Sequence, residues 1–291
     1  MDNILLKSAA AALCATAFSA ASFHASAQDT VVIDNDFSGF RTVDIGSAFD
    51  FTLHKADECR VVISADERIA DYLTYYIKDN TLNLALDSKS FPQELKKTFR
   101  GRDASVPVLQ ADIYVKDLKE LRMHDSVVLN NEESFSTDSL HVSLDGRAMI
   151  SGFSFEGDFL SVKLGRSSYA DLSVKADSVR VAVSGASSAD MTFETGGLSL
   201  HSEGMAGIRA TGTAHRCAVY SESSSEVSVA GSAESLDVTG RGMSVINASG
   251  LEVDRAAVRL SGPSQCSADA GNSLCIDLSG GAHLMYGGTP S

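Results

Sequence analysis

Residues 179–193 read VRVAVSGASSADMTF, and two incompatible folds lay claim to them. Gly185-Ala186-Ser187-Ser188-Ala189 falls one residue short of the G-x-S-x-G elbow, in which a strand delivers an exposed nucleophilic Ser to the start of a helix. The residues that follow speak against that reading. Ala189, Met191 and Phe193 alternate with Asp190 and Thr192, a period of two that belongs to a strand.

Seven further stretches carry the same pattern. They are LHVSLDGRAMI from Leu140, LSVKLGRSSYADLSV from Leu160, LSLHSEGMAGIRATG from Leu198, CAVYSESSSEVSVAG from Cys217, LDVTGRGMSVINASG from Leu236, AAVRLSGPSQCSADA from Ala256 and LCIDLSGGAHLMYGG from Leu274. Successive starts lie 18 to 20 residues apart, a regularity that marks a repeat architecture. Counting the first residue of each unit as position zero, position two is Val142, Val162, Val181, Leu200, Val219, Val238, Val258 and Ile276. Position ten is Ile150, Ala170, Ala189, Ile208, Val227, Ile246, Cys266 and Leu284. Each unit therefore holds two short strands whose alternate residues point inward. Position six is Gly146, Gly185, Gly204, Gly242, Gly262 and Gly280, with Arg166 and Ser223 as substitutes, and glycine at one register marks a turn with positive φ or close backbone approach.

Ser187 thus occupies the corner of a coil, with counterparts at Ala148, Ser168, Ala206, Ser225, Ser244, Ser264 and Ala282 and no His or acid tied to it alone. A unit of this size cannot bury its apolar side by itself; stacked units make a continuous core with rungs ~4.8 Å apart. The expected fold is all-β, a parallel β-helix of about 19 residues per rung. Parallel connections are overwhelmingly right-handed, and the left-handed hexapeptide alternative would need an aliphatic residue every six positions, which positions four and six do not supply. Inward volumes trade along the stack as a close-packed core requires: where position four shrinks to Ser202, Ser221 and Gly240 and position fourteen to Gly212, Gly231 and Gly250, position ten grows to Ile208, Val227 and Ile246.

Outside the repeat, the first 27 residues have the layout of a secretory signal peptide, with Lys7, an Ala- and Leu-rich run and Ala25-Ser26-Ala27 before Gln28. Leu13 before Cys14 argues against a lipid anchor, and the apolar run is short for a membrane span. Residues 28–120 alternate in longer strands expected to form an antiparallel β region capping the solenoid of residues 121–291, with Phe40, Val43, Ile45, Phe49, Phe51 and Leu53 inward and Lys78-Asp79-Asn80 as a turn. Residues 88–105 hold five bases against two acids, either an anion-binding loop or a solvated connection.

The sequence carries a formal charge of −14, which loss of the leader leaves unchanged, and no basic domain, which excludes nucleic acid as a partner. Cys59, Cys217, Cys266 and Cys275 match no zinc spacing, and Cys217 and Cys266 lie two rungs apart, too far for a disulfide; free, core-type thiols are expected, with no metal and no cofactor.

FSGFRTVDIGSAFDFTLHKADECRVVISAD (37–66), KDNTLNLAL (78–86), ADIYVKDLKELRMHDSVVL (111–129), the turns VSGASS and LSGPSQ, and the closing LSGGAHLMYGGTPS (278–291) together resemble the head GIN domain family of exported bacterial proteins, labelled auto-transporter adhesins and common in Bacteroidetes. The resemblance spans nearly all of residues 28–291 and departs at Lys116-Asp117-Leu118, where the family usually has Pro before the Leu. It implies an N-terminal β region leading into a right-handed β-helix, and no catalytic residues.

The function expected is a non-enzymatic surface or periplasmic binding module that presents an extended face to a glycan or cell-surface protein. Outward position three carries Lys163, His201, Tyr220 and Arg259, a polar ladder suited to an acidic or sugar ligand. A second face, with Ser173, Thr192, Thr211, Ser228, Asn247 and Ser267, is smoother and suits contact with another subunit. The alternative is a polysaccharide lyase or glycosidase, but such enzymes need loops that build a cleft, paired carboxylates and stacking aromatics. The rungs here have no insertions, Trp is absent, and Asp145, Asp171, Asp190 and Asp277 share no single register; Asp171 and Asp190 alone are expected to be neighbours. The unpaired edge of the last rung is either blunted by Gly287, Gly288 and Pro290 or covered by a second copy in a homo-oligomer.

Overall fold

The structure is a computed structural model that describes residues 30–37, 39–99, 106–131 and 133–290. The leader-like residues 1–27 lie outside it, as does the 100–105 part of the basic segment. Its strands are β1 (Thr30–Asn35), β2 (Thr42–Ile45), β3 (Asp50–Lys55), β4 (Arg60–Asp66), β5 (Leu73–Lys78), β6 (Thr81–Leu86), β7 (Leu109–Val115), β8 (Glu120–Met123), β9 (Val128–Asn130) and β10 (Ser134–Ser136). They continue as β11 (Ser139–Leu144), β12 (Met149–Leu164), β13 (Tyr169–Val183), β14 (Ser188–Ser202), β15 (Gly207–Ser221), β16 (Glu226–Arg241), β17 (Val245–Ser261), β18 (Gln265–Ala270), β19 (Ser273–Leu278) and β20 (His283–Gly288). Among the described residues one short α-helix, α1 (Gln93–Thr98), and two 3-10 turns, Glu67–Tyr72 and Ser88–Ser90, interrupt them.

From β11 onward every pairing is parallel and joins units one repeat apart, as in Val181 with Leu200 and Ala189 with Ile208. This is the β-solenoid read from the spacing. Strands β12 to β17 are far longer than the two short strands expected per unit, because the chain stays extended around the corner after position fourteen and the ladder continues into the next rung. The inward residues form one core: Val162, Val181, Val238 and Val258 have no exposed surface and Ile208 and Ile246 almost none. Each fully buried side chain of this kind contributes about 1.5–3 kcal/mol. The volume trade is visible at Gly240, where an added Cβ would meet Leu260 Cδ2 at 2.7 Å and Ile246 Cδ1 at 3.1 Å.

The corner at position six explains the glycines. All members of this column have φ between 64° and 83°, the non-glycine Arg166 and Ser223 included. A Cβ on Gly185 would lie 2.7 Å from the Arg166 carbonyl oxygen, so both dihedral and space favour glycine. The same column extends upstream to Asp125 (φ 62°) and Ser47 (φ 71°), and the rung-to-rung bonds Ser126 N to Ser47 O (3.0 Å) and Arg147 N to Asp125 O (2.5 Å) continue it without a break.

The solenoid register therefore begins well before residue 121. The strands expected to be antiparallel around Val43, Ile45 and Phe51 pair in parallel instead, β2 with β6 and β8, β3 with β7 and β9. Alternation alone cannot tell the two pairings apart, since both put every second side chain inward. Antiparallel pairing is confined to the end of the stack, β1 with β4, β4 with β7 and β5 with β6. The β5–β6 turn is the one expected, with Asp79 and Asn80 at φ 52° and 59°. In space, β6 and β7 form a rung outside β2 and β3, although they come later in the chain.

Candidate functional site

The outward position-three column runs Ser143, Lys163, Ala182, His201, Tyr220, Thr239, Arg259 and Asp277, each on its own rung. Of the four residues singled out from the sequence, only His201 and Tyr220 stand on adjacent rungs. Their rings stack with centroids 4.6 Å apart and planes 10° from parallel, the rung spacing itself. Arg241 lies 5.6 Å from the Tyr220 centroid, and the Tyr220 hydroxyl donates to Glu222 Oε2 at 2.7 Å. That bond to a carboxylate raises the Tyr220 pKa from its ordinary value. Arg259 is separated from Tyr220 by Thr239 and approaches Asp237 at 3.9 Å. Lys163 and Arg259 are five rungs, ~24 Å, apart and cannot share a small ligand.

The other side of the His201 ring faces Ala182, whose methyl group covers little of it; Lys163 stands one rung beyond. Arg180 flanks the same alanine along its strand, on the same outward face because it is two residues away. Lys163 and Arg180 are both exposed, and among the described residues neither has an ion-pair partner. The register thus sets the small Ala182 between the imidazole on one rung and Lys163 on the other, with Arg180 beside it, an arrangement that leaves room for a shallow slot between the longer side chains. Arg180, Arg241 and Glu222 escaped the sequence reading, which followed position three alone; the rule that residues two apart share a strand face would have found them.

The alternative catalytic features do not assemble. Ser187 is 2% exposed, and its hydroxyl oxygen accepts from the Ser168 amide (3.2 Å) and lies 3.3 Å from the Ser168 hydroxyl oxygen. Its column is buried from Ala148 to Ser264, with Ser168, Ser225 and Ser264 each donating to the carbonyl three residues back. Asp171 and Asp190 are neighbours as expected, but Arg209 meets Asp190 at 2.8 Å and the Tyr169 hydroxyl donates to it at 3.1 Å. Among the described residues no group of three or more His, Cys, Asp or Glu could hold a metal ion.

The smooth face resolves into two columns, with Ser173, Thr192 and Thr211 in one and Ser228, Asn247 and Ser267 in the other. Thr192 donates to the Ser173 hydroxyl at 3.2 Å and Ser267 to Asn247 Oδ1 at 2.9 Å, so these groups largely satisfy one another. A groove of about 560 Å³ at the third corner, between Glu156, Lys175 and Glu194 on one side and Asp177 and His215 on the other, was not apparent in the sequence because it lies at the junction where the second strand of one repeat passes into the first strand of the next. Within it Lys175 pairs with Glu194 at 3.5 Å, and His215 Nδ1 lies within hydrogen-bond distance of Glu234 Oε1 at 3.0 Å.

The described part of the basic segment is a lid on the core. Phe91, 8% exposed, meets Tyr72 edge-on with centroids 4.9 Å apart, and Leu95 and Phe99 pack beside it. The four cysteines among the described residues are free; Cys217 and Cys266 are buried and Cys275 is exposed. No described helix is long and apolar enough to cross a membrane.

A family profile described as "Putative auto-transporter adhesin, head GIN domain" matches residues 39–192 and 190–290. No curated protein matches the chain. Among solved structures, a "putative adhesin" from Parabacteroides merdae ATCC 43184 superposes with a TM-score of 0.60 at 11% identity, over 89% of this chain and 96% of its own. A second "putative adhesin", from Parabacteroides distasonis ATCC 8503, gives 0.51 at 16% identity over 90% and 91%. At these identities the likeness is one of fold.

Proposed function

The chain belongs to the head GIN domain family of auto-transporter adhesin type, and on that premise we propose that it is an exported, non-enzymatic module that binds an acidic glycan at the cell surface or in the periplasm. The observation that carries this reading is the slot over Ala182. Its His201 wall is already stacked and held on one side by Tyr220, so little rotamer freedom is lost when a sugar ring packs on the other. Lys163 and Arg180, unpaired in a protein of charge −14, supply the attraction for a carboxylate on that sugar. Export is supported by the leader-like residues 1–27 and by the family description. The absence of turnover is supported by the burial of Ser187 and by the pairing of Asp190 with Arg209.

A glycan-array screen of the purified protein, with every hit assayed for cleavage, tests the reading. Binding of uronate- or sialate-bearing glycans that His201→Ala and Lys163→Ala each weaken about tenfold, without product, is expected. Cleavage of any hit overturns the non-enzymatic assignment, and binding unaffected by both variants moves the site elsewhere. Silence across the array turns the reading toward a protein ligand.

A further inference from the structure

The two ends of the stack are finished differently. At the first, the inward residues Leu82, Leu84 and Ile113 have at most 1% of their surface exposed, beneath a cap that includes Ile69 and Phe91. At the last, Ile276 and Leu278 are 44% and 41% exposed and Tyr286 61%, although they continue the columns of Val258 (0%), Leu260 (3%) and Ala268 (1%). Strands β19 and β20 each pair on one side only, with β17 and β18. Among the described residues, both sheets therefore end in a row of N–H and C=O groups without a strand partner, beside a core that no described residue covers. Edges are ordinarily blunted by Lys, Pro or a bulge. Residues 273–288 contain no Lys, Arg or Pro, and their pairing register is uninterrupted.

We propose that two copies of this chain join tail to tail through their last rungs, β19 against the partner's β19 and β20 against the partner's β20. An extended peptide could extend one of the two edges but would leave the other sheet and half of the exposed core bare. A second last rung presents two strand edges at the same separation and covers both at once, in the self-complementary arrangement a twofold axis demands. Charge permits it: of the −14 carried by the chain, Asp277 is the only carboxylate in residues 273–288, and it sits opposite Arg259 on the neighbouring rung. The first end also finishes in strands paired on one side only, β1 and β5, but its core lies beneath the cap; a twofold pairing of last rungs uses up both copies' exposed cores and so closes at two. The dimer places its two capped ends at opposite extremes and repeats the His201 face along both arms.

Sedimentation velocity across a concentration series, combined with small-angle scattering, tests the proposal on the full chain. The expected result is a concentration-dependent monomer–dimer equilibrium whose dimer has nearly twice the monomer's maximum dimension. Ile276→Lys and, separately, Tyr286→Lys should each shift the dissociation constant at least tenfold toward monomer with the melting temperature unchanged. A protein that stays monomeric at about 100 μM overturns the proposal, as does a dimer no longer than the monomer or one that both substitutions leave intact. None of these outcomes depends on whether a glycan binds.

Discussion

The Ser168 amide donates to the Ser187 hydroxyl oxygen at 3.2 Å, one rung to the next, inside the core. A serine so placed is a corner fastener. Ser187→Ala should cost about 1 kcal/mol in denaturant unfolding, the scale of one buried hydrogen bond, because Ala148 and Ala206 already stand in the same column. An activity-based serine-hydrolase probe should label neither form; labelling that vanishes in the variant would reinstate the nucleophile.

Gly185 has φ +75° and no room for a Cβ beside the Arg166 carbonyl. Gly185→Ala should therefore lower stability by about 2 kcal/mol or more, whereas the same change at Gly207, a β14-facing strand residue whose nearest contact for a Cβ is 4.0 Å away, should cost less than about 1 kcal/mol. Thermal unfolding of the two variants side by side gives the comparison.

Burial pushes the Cys217 and Cys266 thiols up to about 12. Unfolded, they would ionise near 8.5, so the unfolded state sheds protons first as pH rises. Stability should hold below about pH 8.5 and then fall toward pH 12 by up to about 1.4 kcal/mol per pH unit for each thiol. Urea midpoints measured from pH 8 to 10.5 should show this slope, and Cys217→Ala with Cys266→Ala should flatten it. Alkylation of the native protein at pH 8 should reach Cys275 first.

Asp66 caps the turn that begins at Glu67, accepting from the Arg68 amide at 3.0 Å and from its guanidinium, and these bonds hold its carboxyl below the usual range. A depressed carboxyl stabilises the fold above its unfolded value near 3.9 and loses that contribution as pH falls through the lower folded value. Asp66→Ala should cost about 1 kcal/mol at pH 7 and make the stability curve shallower below pH 4, as followed by circular dichroism.

The repeat was legible because period and register are written in residue identity: Val at position two, Gly at position six and small residues at position eight predict inward, αL and corner sites, and the structure places them so. The upstream rungs were not, because Ser47 and Asp125 take the position-six conformation without being glycine, and because residues 56–118 intervene in the chain between rungs that are adjacent in space. For the site, the stacking of His201 on Tyr220 followed from a shared register. Neither the separation of Lys163 from Arg259 nor the gap at Ala182 entered the sequence reading, which took the column as one ladder rather than rung by rung. The exposure of Ile276 was hidden because its column is apolar throughout and only its being last uncovers it.

The sandwiching of β2 and β3 between a rung made from residues 81–115 and one made from 120–130 bears on the order in which the chain can acquire structure as it emerges. Leu53 waits for Asn131, whose side-chain oxygen its amide reaches at 3.1 Å across 78 positions, while later rungs close over 19 or 20. Loop-closure entropy makes the longer connection about 1.2 kcal/mol costlier, and its two flanking rungs must arrive before it is covered. A chain that emerges N-terminal end first thus leaves β2 and β3 uncovered on one side until about residue 131 is out, after which each new turn finds a completed template waiting.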